Sequence, residues 1–118
     1  MKIIAIGLNY ASHNEEMKRT FKADNPVIFM KSETSLLKNG KPFFIPDFSH
    51  EIDYETEIVI KISRLGKNID EQFAHRYYDE LTVGIDFTAR DLQRSLKEKG
   101  LPWEIAKSFD NSAAIGTL

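Results

Sequence analysis

The residues that decide the fold read YETEIVIKI, at positions 54–62. One set of alternate positions in this stretch holds three isoleucines, and the other holds Glu55, Glu57, Val59 and Lys61. Successive side chains of a β-strand point to opposite faces, so this alternation predicts a strand with two chemically different sides. Because the two glutamates are two residues apart, they leave the predicted strand on the same face.

Apolar and amphipathic runs on either side of this stretch predict the rest of the secondary structure. Strands are predicted at residues 3–8, 27–31, 43–45 and 82–88, and helices at residues 11–20, 70–81 and 89–99. Asp70 is a favourable N-cap for the second helix, and Gly100 ends the third. Since no repeat or linker interrupts the chain, we expect residues 1–118 to form a single α+β domain or a fragment of one, with the strands around Ile58 and Val83 in one mixed sheet.

Composition excludes several classes of function. The 118 residues are 42% hydrophobic, enough for one core, and carry a formal charge of −2, so no strong field would attract nucleic acid or an anionic membrane. The chain has no cysteine, which removes disulfides and thiolate metal sites. The apolar start at residues 1–6 is too short for a signal peptide, and no stretch is long enough to span a bilayer. We therefore expect a soluble, cytoplasmic protein with no nucleic-acid or membrane partner.

Three carboxylates form the first candidate site. Glu55 and Glu57 share a strand face, and Asp86 lies inside the apolar segment VGIDF, where an ionised carboxylate is costly without a compensating positive charge. A carboxylate cluster in a chain without cysteine suits a hard divalent cation such as Mg²⁺. Two alternatives explain the same pattern: a solvated glutamate face, and a buried Asp86 paired with an arginine.

Donors for an anionic substrate follow Asp86 in the chain. Arg90 and Gln93 are three residues apart at the start of the third predicted helix and so share one of its faces. The arginine offers a planar fork to a carboxylate or enolate, and the glutamine can polarise a carbonyl oxygen. Lys107, in the segment AKSFD, can stabilise developing oxyanion charge. The alternatives are an exposed amphipathic helix and a surface lysine.

A candidate general base lies on the first predicted helix. His13 and Glu16 are three residues apart, which lets the carboxylate orient the imidazole and raise its basicity toward a water molecule. The alternative is an ordinary pair on the surface of that helix.

Four segments resemble the fumarylacetoacetate hydrolase family in their order and approximate spacing. They are GLNYASH at 7–13, DYETE at 53–57, GIDFTARDLQ at 84–93 and AKSFD at 106–110. The resemblance covers nearly the whole chain and indicates the N-terminal portion of such an enzyme, of the acylpyruvate hydrolase or oxaloacetate decarboxylase type. It implies a mixed β-sheet or β-roll with short helices.

The resemblance also implies a role for each candidate residue. The implied roles are metal binding by Glu55, Glu57 and Asp86, substrate contacts by Arg90, Gln93 and Lys107, and catalysis by His13, Glu16 and Lys107. The implied cofactor is Mg²⁺ or Mn²⁺, and the implied reaction is cleavage of a C–C bond in a small β-diketo or 2-keto acid through an enolate held by the metal. Decarboxylation, isomerisation and dehydration use the same ligands, so the reaction type stays open.

Two departures from the family pattern accompany the resemblance. Leu8 occupies a position where many members have arginine, so one substrate-side or structural contact is expected to be missing. The family pattern continues well beyond Leu118 into a β-rich portion with a glycine-rich substrate loop. The sequence therefore predicts either a fragment of a longer enzyme or a short, non-catalytic assembly module. In both cases we expect a homo-oligomer, such as a homodimer, because half of a family core leaves strand edges and apolar faces open.

Overall fold

The computed structural model describes residues 1–9, 25–38 and 40–118. Within them the chain forms two sheets and two short α-helices. The strands are β1 (Ile3–Gly7), β2 (Val27–Lys31), β3 (Leu36–Leu37), β4 (Ile52–Ile62), β5 (Tyr78–Ala89) and β6 (Ala113–Ile115), the α-helices are α1 (Arg90–Glu98) and α2 (Glu104–Lys107), and 3-10 helices occur at Glu33–Ser35 and Glu71–Arg76. This arrangement of mixed sheet and short helices confirms the predicted α+β fold class.

The two sheets differ in size. β1 and β2 form an antiparallel pair, and the other strands form a four-stranded sheet in the order β3-β6-β5-β4. In the larger sheet β3 and β6 are parallel, and the other neighbours are antiparallel. The long β4–β5 hairpin aligns Glu55 with Asp86 and Ile58 with Val83. The strand predicted from the alternation at residues 54–62 is confirmed, and so is the prediction that Ile58 and Val83 share a sheet.

The two faces of the β4–β5 hairpin are buried to different extents, and the isoleucine face is the more exposed one. Ile58 is 71% exposed and Val83 57%, whereas the side chains of Glu55 and Asp86 are 25% and 3% exposed. The apolar side of a half-buried strand ordinarily faces the core. Here side chains from α1 and α2 cover the glutamate face instead, so the carboxylates point into the protein.

Polar side chains make up much of the buried interior. An apolar cluster of Ala89, Leu96 and Ala106 joins the end of β5 to the two helices. The buried polar and charged residues are Lys31, Ser35, Ser49, Asp86, Thr88, Arg90, Gln93, Lys107 and Ser112. Buried polar groups are stable only when they are hydrogen-bonded or paired. The interior is therefore organised around a polar cluster as much as around an apolar core.

The predicted strand at residues 43–45 is wrong, because these residues form no strand. Pro42 and Pro46 flank them, and proline cannot donate to a strand ladder. The ring of Phe43 stacks on the ring of Phe87, with centroids 3.8 Å apart. The apolar run thus anchors a loop through side-chain packing and not through backbone pairing.

The predicted helix at residues 70–81 is also wrong over most of its length. Residues Glu71–Arg76 form a 3-10 helix, and β5 begins at Tyr78. Asp70 precedes the 3-10 helix but makes no side-chain cap hydrogen bond. From Tyr78 onward the backbone pairs with β4, so strand pairing overrides the local helical pattern.

The remaining predicted elements agree with the structure except at their ends. β1, β2 and α1 match the predictions at residues 3–8, 27–31 and 89–99, and Gly100 follows α1 with a φ of 65°. β5 begins earlier than predicted, and β3 and β6 were not predicted. The predicted helix at residues 11–20 lies outside the described residues. In the described part of the chain, no helix is long and apolar enough to cross a membrane.

Candidate metal centre

The carboxylates of Glu55, Glu57 and Asp86 lie together on the covered face of the β4–β5 hairpin. The strand register places Glu55 opposite Asp86, and the two-residue spacing puts Glu57 on the same face. One oxygen from each carboxylate lies within 4.8 Å of the others. Oxygen atoms this close together can share one hard divalent cation. The structure thus brings the three residues together, and their binding of a metal stays a prediction.

Two buried lysines balance the charge of Asp86. Lys31 Nζ lies 2.6 Å from Asp86 Oδ1, and Lys107 Nζ lies 2.7 Å from Asp86 Oδ2, with all three side chains 3% exposed. Lys107 Nζ also lies 3.2 Å from Glu55 Oε2 and donates to Thr88 Oγ1 at 2.7 Å. Lys107 is therefore not a surface residue, and the compensating charge for Asp86 comes from two lysines and not from an arginine.

Arg90 is held by three partners at the start of α1. Its Nε donates to Asp53 Oδ2 at 2.8 Å and its Nη2 to Glu55 Oε1 at 2.7 Å. Its Nη1 donates to Gln93 Oε1 at 2.6 Å. Both Arg90 and Gln93 are buried, so the helix face they share points into the protein. These bonds fix the orientation of the guanidinium, because each one uses a different nitrogen of the planar group.

Glu57 differs from Glu55 in its electrostatic surroundings. Burial, reinforced by the charges of Asp86 and Glu55, raises the pKa of Glu57 to about 7. Burial acts in the same direction on Glu55, but Lys107 and Arg90 hold the pKa of Glu55 below its ordinary value. Among the described residues, Glu57 has no ion pair within 4.0 Å. A divalent cation would relieve the repulsion at Glu57, so these residues fit such an ion.

A cavity of about 210 Å³ opens beside the carboxylates. Its polar lining includes Glu55, Glu57, Arg90, Gln93 and Lys107, and its aromatic lining consists of Phe29 and Trp103. The two aromatic rings lie 5.7 Å apart. Pockets for drug-sized ligands measure roughly 300–1,000 Å³, so this cavity suits a smaller molecule. Its charged lining suits one with anionic oxygen atoms.

Two sequence-predicted site residues fall outside the described part of the chain. His13 and Glu16 belong to residues 10–24, so their proposed pairing stays a prediction. Leu8, at the position where many family members have arginine, lines the cavity with a φ of 57°.

Lys31 is the site residue that sequence reasoning missed. It ends β2, two residues after Phe29, and both side chains are buried. The period of a strand places residues two apart on one side, so a lysine at that spacing from a buried phenylalanine was the available signal. The sequence contains no feature that would have named Asp86 as its partner.

The chain belongs to the fumarylacetoacetate hydrolase family. Residues 2–118 match the family model described as fumarylacetoacetate (FAA) hydrolase C-terminal. This match corrects the expectation of an N-terminal portion, because the model that matches is that of the C-terminal domain. The family assignment itself, made from four short segments, is confirmed.

Among its relatives are two proteins named oxaloacetate tautomerase FAHD1, mitochondrial. The chain is 36% identical to the protein from Rattus norvegicus and 34% identical to the protein from Homo sapiens, over 116 residues in each case. Each comparison covers 98% of this chain and 52% of the relative. The chain therefore spans about half the length of these curated relatives.

Solved structures of the family share its fold. The crystal structure of fumarylpyruvate hydrolase from Pseudomonas aeruginosa in complex with Mn²⁺ and pyruvate is 34% identical, with a TM-score of 0.92 over 100% of this chain and 52% of that one. A putative family protein from Yersinia pestis is 38% identical, with a TM-score of 0.89 over 98% of this chain and 52% of that one. The expected fumarylacetoacetate hydrolase type of α+β fold is thus confirmed.

Proposed function

We propose that this chain carries the divalent-metal site of an enzyme that acts on a small 2-keto acid through its enolate. The observation that carries the proposal is the grouping of carboxylate oxygens of Glu55, Glu57 and Asp86 within 4.8 Å. The two glutamates line a cavity together with Arg90 and Lys107. Support comes from the Pseudomonas aeruginosa relative, whose structure contains Mn²⁺ and pyruvate. Pyruvate is itself a small 2-keto acid.

The three carboxylates would hold Mg²⁺ or Mn²⁺, which supplies a Lewis acid for the keto and carboxylate oxygens of a substrate. Arg90, fixed by Asp53 and Glu55, presents a stationary positive charge at the cavity wall. Lys107 Nζ donates to Glu55, Asp86 and Thr88 and would place its positive charge beside the oxygen on which negative charge develops. Because Gln93 Oε1 accepts from Arg90, the amide nitrogen of Gln93 is the group left to donate to the substrate.

The first candidate reaction is hydrolysis of a C–C bond in an acylpyruvate-like β-diketo acid. His13, oriented by Glu16, would take a proton from the water that attacks the acyl carbonyl carbon. The bond between that carbon and the neighbouring carbon then breaks, which yields a carboxylic acid and the enolate of a 2-keto acid. Protonation of the enolate carbon completes the reaction. The name of the fumarylpyruvate hydrolase relative supports this candidate.

The second candidate reaction is interconversion of the keto and enol forms of oxaloacetate. The names of the rat and human relatives favour it. This reaction needs the removal and return of one proton and no attacking water. It would use the same donors, since both reactions pass through an enolate, and decarboxylation of oxaloacetate shares that requirement.

Oxalate tests the site apart from turnover, because it resembles an enolised keto acid. Calorimetry should show that oxalate binds the chain loaded with Mn²⁺ and does not bind the chain treated with EDTA. Equal binding under the two conditions, or no binding in either, would contradict the proposal. The reaction type is tested by measuring the wild-type kcat/KM for hydrolysis of acetylpyruvate and for keto–enol interconversion of oxaloacetate. The reaction with the larger kcat/KM is the favoured candidate.

The substitution His13→Ala tests the proposed base. We expect Mn²⁺ affinity to stay nearly intact while hydrolysis of acetylpyruvate falls by about 100- to 10,000-fold, the usual cost of losing a general base. Decarboxylation of oxaloacetate needs no attacking water and should fall far less. The exposed His75 gives the control substitution, His75→Ala. If Mn²⁺ affinity fell together with activity, His13 would be a ligand or a folding residue and not the base.

A further inference from the structure

Lys31 contacts the candidate metal ligand Asp86 from outside the cavity. It is the last residue of β2 and is 3% exposed. β2 pairs with β1 in the smaller sheet, so Lys31 carries a positive charge from that sheet to Asp86 on the larger one. Lys107 lines the cavity and Lys31 does not. A molecule in the cavity would therefore meet Lys107 and not Lys31.

The Lys31 ammonium is surrounded by oxygen acceptors. Its Nζ lies 2.6 Å from Asp86 Oδ1 and donates to both the carbonyl oxygen and Oγ of Ser112 at 3.1 Å. It also donates to the carbonyl oxygen of Lys107. An ammonium group has three N–H donors, and the oxygens of Lys107 and Ser112 are enough to occupy all three. Lys31 is thus fixed in place and has no donor left for a substrate.

The two oxygens of Asp86 have different surroundings as a result. Oδ1 is fully buried and accepts no hydrogen bond from the described residues, so its contact with Lys31, which does not line the cavity, is an ion pair. Oδ2 faces Lys107, which lines the cavity. The carboxylate therefore contacts Lys31 through one oxygen and Lys107, a residue of the cavity lining, through the other.

We propose that Lys31 is a positioning residue for the metal site. It pairs with Asp86 at Oδ1, so that Oδ2, which contacts Lys107, is the oxygen that a cation would share. It also balances part of the carboxylate charge, which stabilises the folded cluster before a cation binds. This inference rests on the proposed function, since it takes Glu55, Glu57 and Asp86 as the ligands. Without Lys31 the cation becomes a main source of counter-charge, so folding and metal binding become more strongly coupled.

The first test is the thermal unfolding of Lys31→Met, which keeps a long unbranched side chain and removes the charge. In EDTA its Tm should fall by roughly 10 °C or more, because a buried carboxylate loses a partner. Saturating Mn²⁺ should raise the Tm of this variant by more than it raises that of the wild type. The control is Lys61→Met, which removes an exposed lysine paired with Glu80 and should match the wild type in both measurements. A Mn²⁺-induced rise no larger than that of the wild type would overturn the proposal.

A double-mutant cycle in EDTA separates charge pairing from packing. If Lys31 acts through Asp86, adding Asp86→Asn to Lys31→Met should recover much of the lost Tm, and Mn²⁺ should then raise it little or not at all. Additive losses from the two single substitutions would overturn the proposal. If Lys31→Met alone does not fold under either condition, a folded double variant supports the proposal. An unfolded double variant would show that Lys31 is required for packing, and overturns it.

The same measurements distinguish failure of this inference from failure of the proposed function. A wild-type chain whose Tm does not respond to Mn²⁺ would refute the metal site. The cycle in EDTA would still show whether Lys31 holds Asp86, because it requires no metal. Conversely, a Mn²⁺ response in the wild type combined with additive losses keeps the metal site and removes Lys31 from it.

Discussion

A lysine–carboxylate pair lies toward each end of the β4–β5 hairpin, and the lysine of one pair comes from α2. At the far end Lys61 Nζ lies 2.9 Å from Glu80 Oε1, with side chains 49% and 36% exposed. At the site end Lys107 Nζ lies 2.7 Å from Asp86 Oδ2, with both side chains 3% exposed. An exposed pair contributes about 0–1 kcal/mol, whereas breaking a buried pair costs about 3–5 kcal/mol. Since the contact distances are similar, burial is what separates the candidate functional end from the solvated end.

The largest expected effect is the difference in stability lost when the lysine of each pair is replaced by methionine. Lys107→Met should lower the free energy of unfolding of the metal-free chain by about 3–5 kcal/mol, because it leaves buried carboxylate charge with less compensation. Lys61→Met, at the solvated end, should lower it only slightly, because an exposed ion pair is screened by water. Urea unfolding in EDTA measures both values. Equal losses would break the comparison, since exposure would then not decide what each pair contributes.

The next effect is on Mn²⁺ affinity, and it compares Glu57 at the site end of the hairpin with Glu80 at the solvated end. Glu57→Gln should weaken Mn²⁺ binding by at least the roughly 10- to 100-fold that follows loss of a residue supporting a metal ligand. Glu80→Gln on the same hairpin should leave Mn²⁺ affinity unchanged. Calorimetric titration with Mn²⁺ gives the two dissociation constants. Undiminished affinity in Glu57→Gln would remove that residue from the site.

A smaller effect is the pH dependence that Glu57 gives to the metal-free chain. The pKa of Glu57 is raised from 4.5 to about 7 in the folded state, so between these values the folded chain holds a proton that the unfolded chain has released. The contribution of protonated Glu57 to the free energy of unfolding is complete below about pH 4.5 and is lost as the pH rises through about 7. Glu57→Gln should remove this decline, on the order of 1 kcal/mol for a partly solvated group. Urea unfolding of both proteins across this range isolates the residue, and a difference that did not vary with pH would contradict the assignment.

The smallest effect on stability is expected on the exposed isoleucine face of the hairpin. Ile58→Lys should change the free energy of unfolding by no more than about 0.5 kcal/mol, because Ile58 is 71% exposed. The same substitution should weaken self-association, since a charge in an apolar contact surface is costly. Light scattering at several concentrations tests this. A wild-type chain that is monomeric throughout would contradict the expected homo-oligomer.

The two wrongly predicted elements have different physical causes. Residues 43–45 are as apolar as a strand, and residues 70–81 repeat with a helical period, yet neither forms the predicted element. In the first case flanking prolines prevent ladder hydrogen bonds, and in the second the backbone from Tyr78 pairs with β4. The prolines are visible in the local sequence. The pairing of Tyr78 with β4 depends on a distant strand, and a short window of sequence does not contain that information.

Local sequence was sufficient where the deciding interaction is itself local. The period of residues 54–62 specifies β4 and places Glu55 and Glu57 on one face, and Gly100 ends α1 because glycine readily adopts a positive φ. The position of Asp86 in an apolar strand likewise predicted a positively charged partner without identifying it.

Packing between distant segments settled the rest. The alternation at residues 54–62 defines two faces but does not say which one is covered, and α1 and α2 cover the glutamate face with charged side chains. The partners of Asp86 come from β2 and α2, elements separated from it by long stretches of chain. Such contacts form only when the sheets and helices assemble, because the free energy of a buried ion pair depends on the surrounding protein excluding water. The periodicity of a short segment does not show where the assembled protein excludes water.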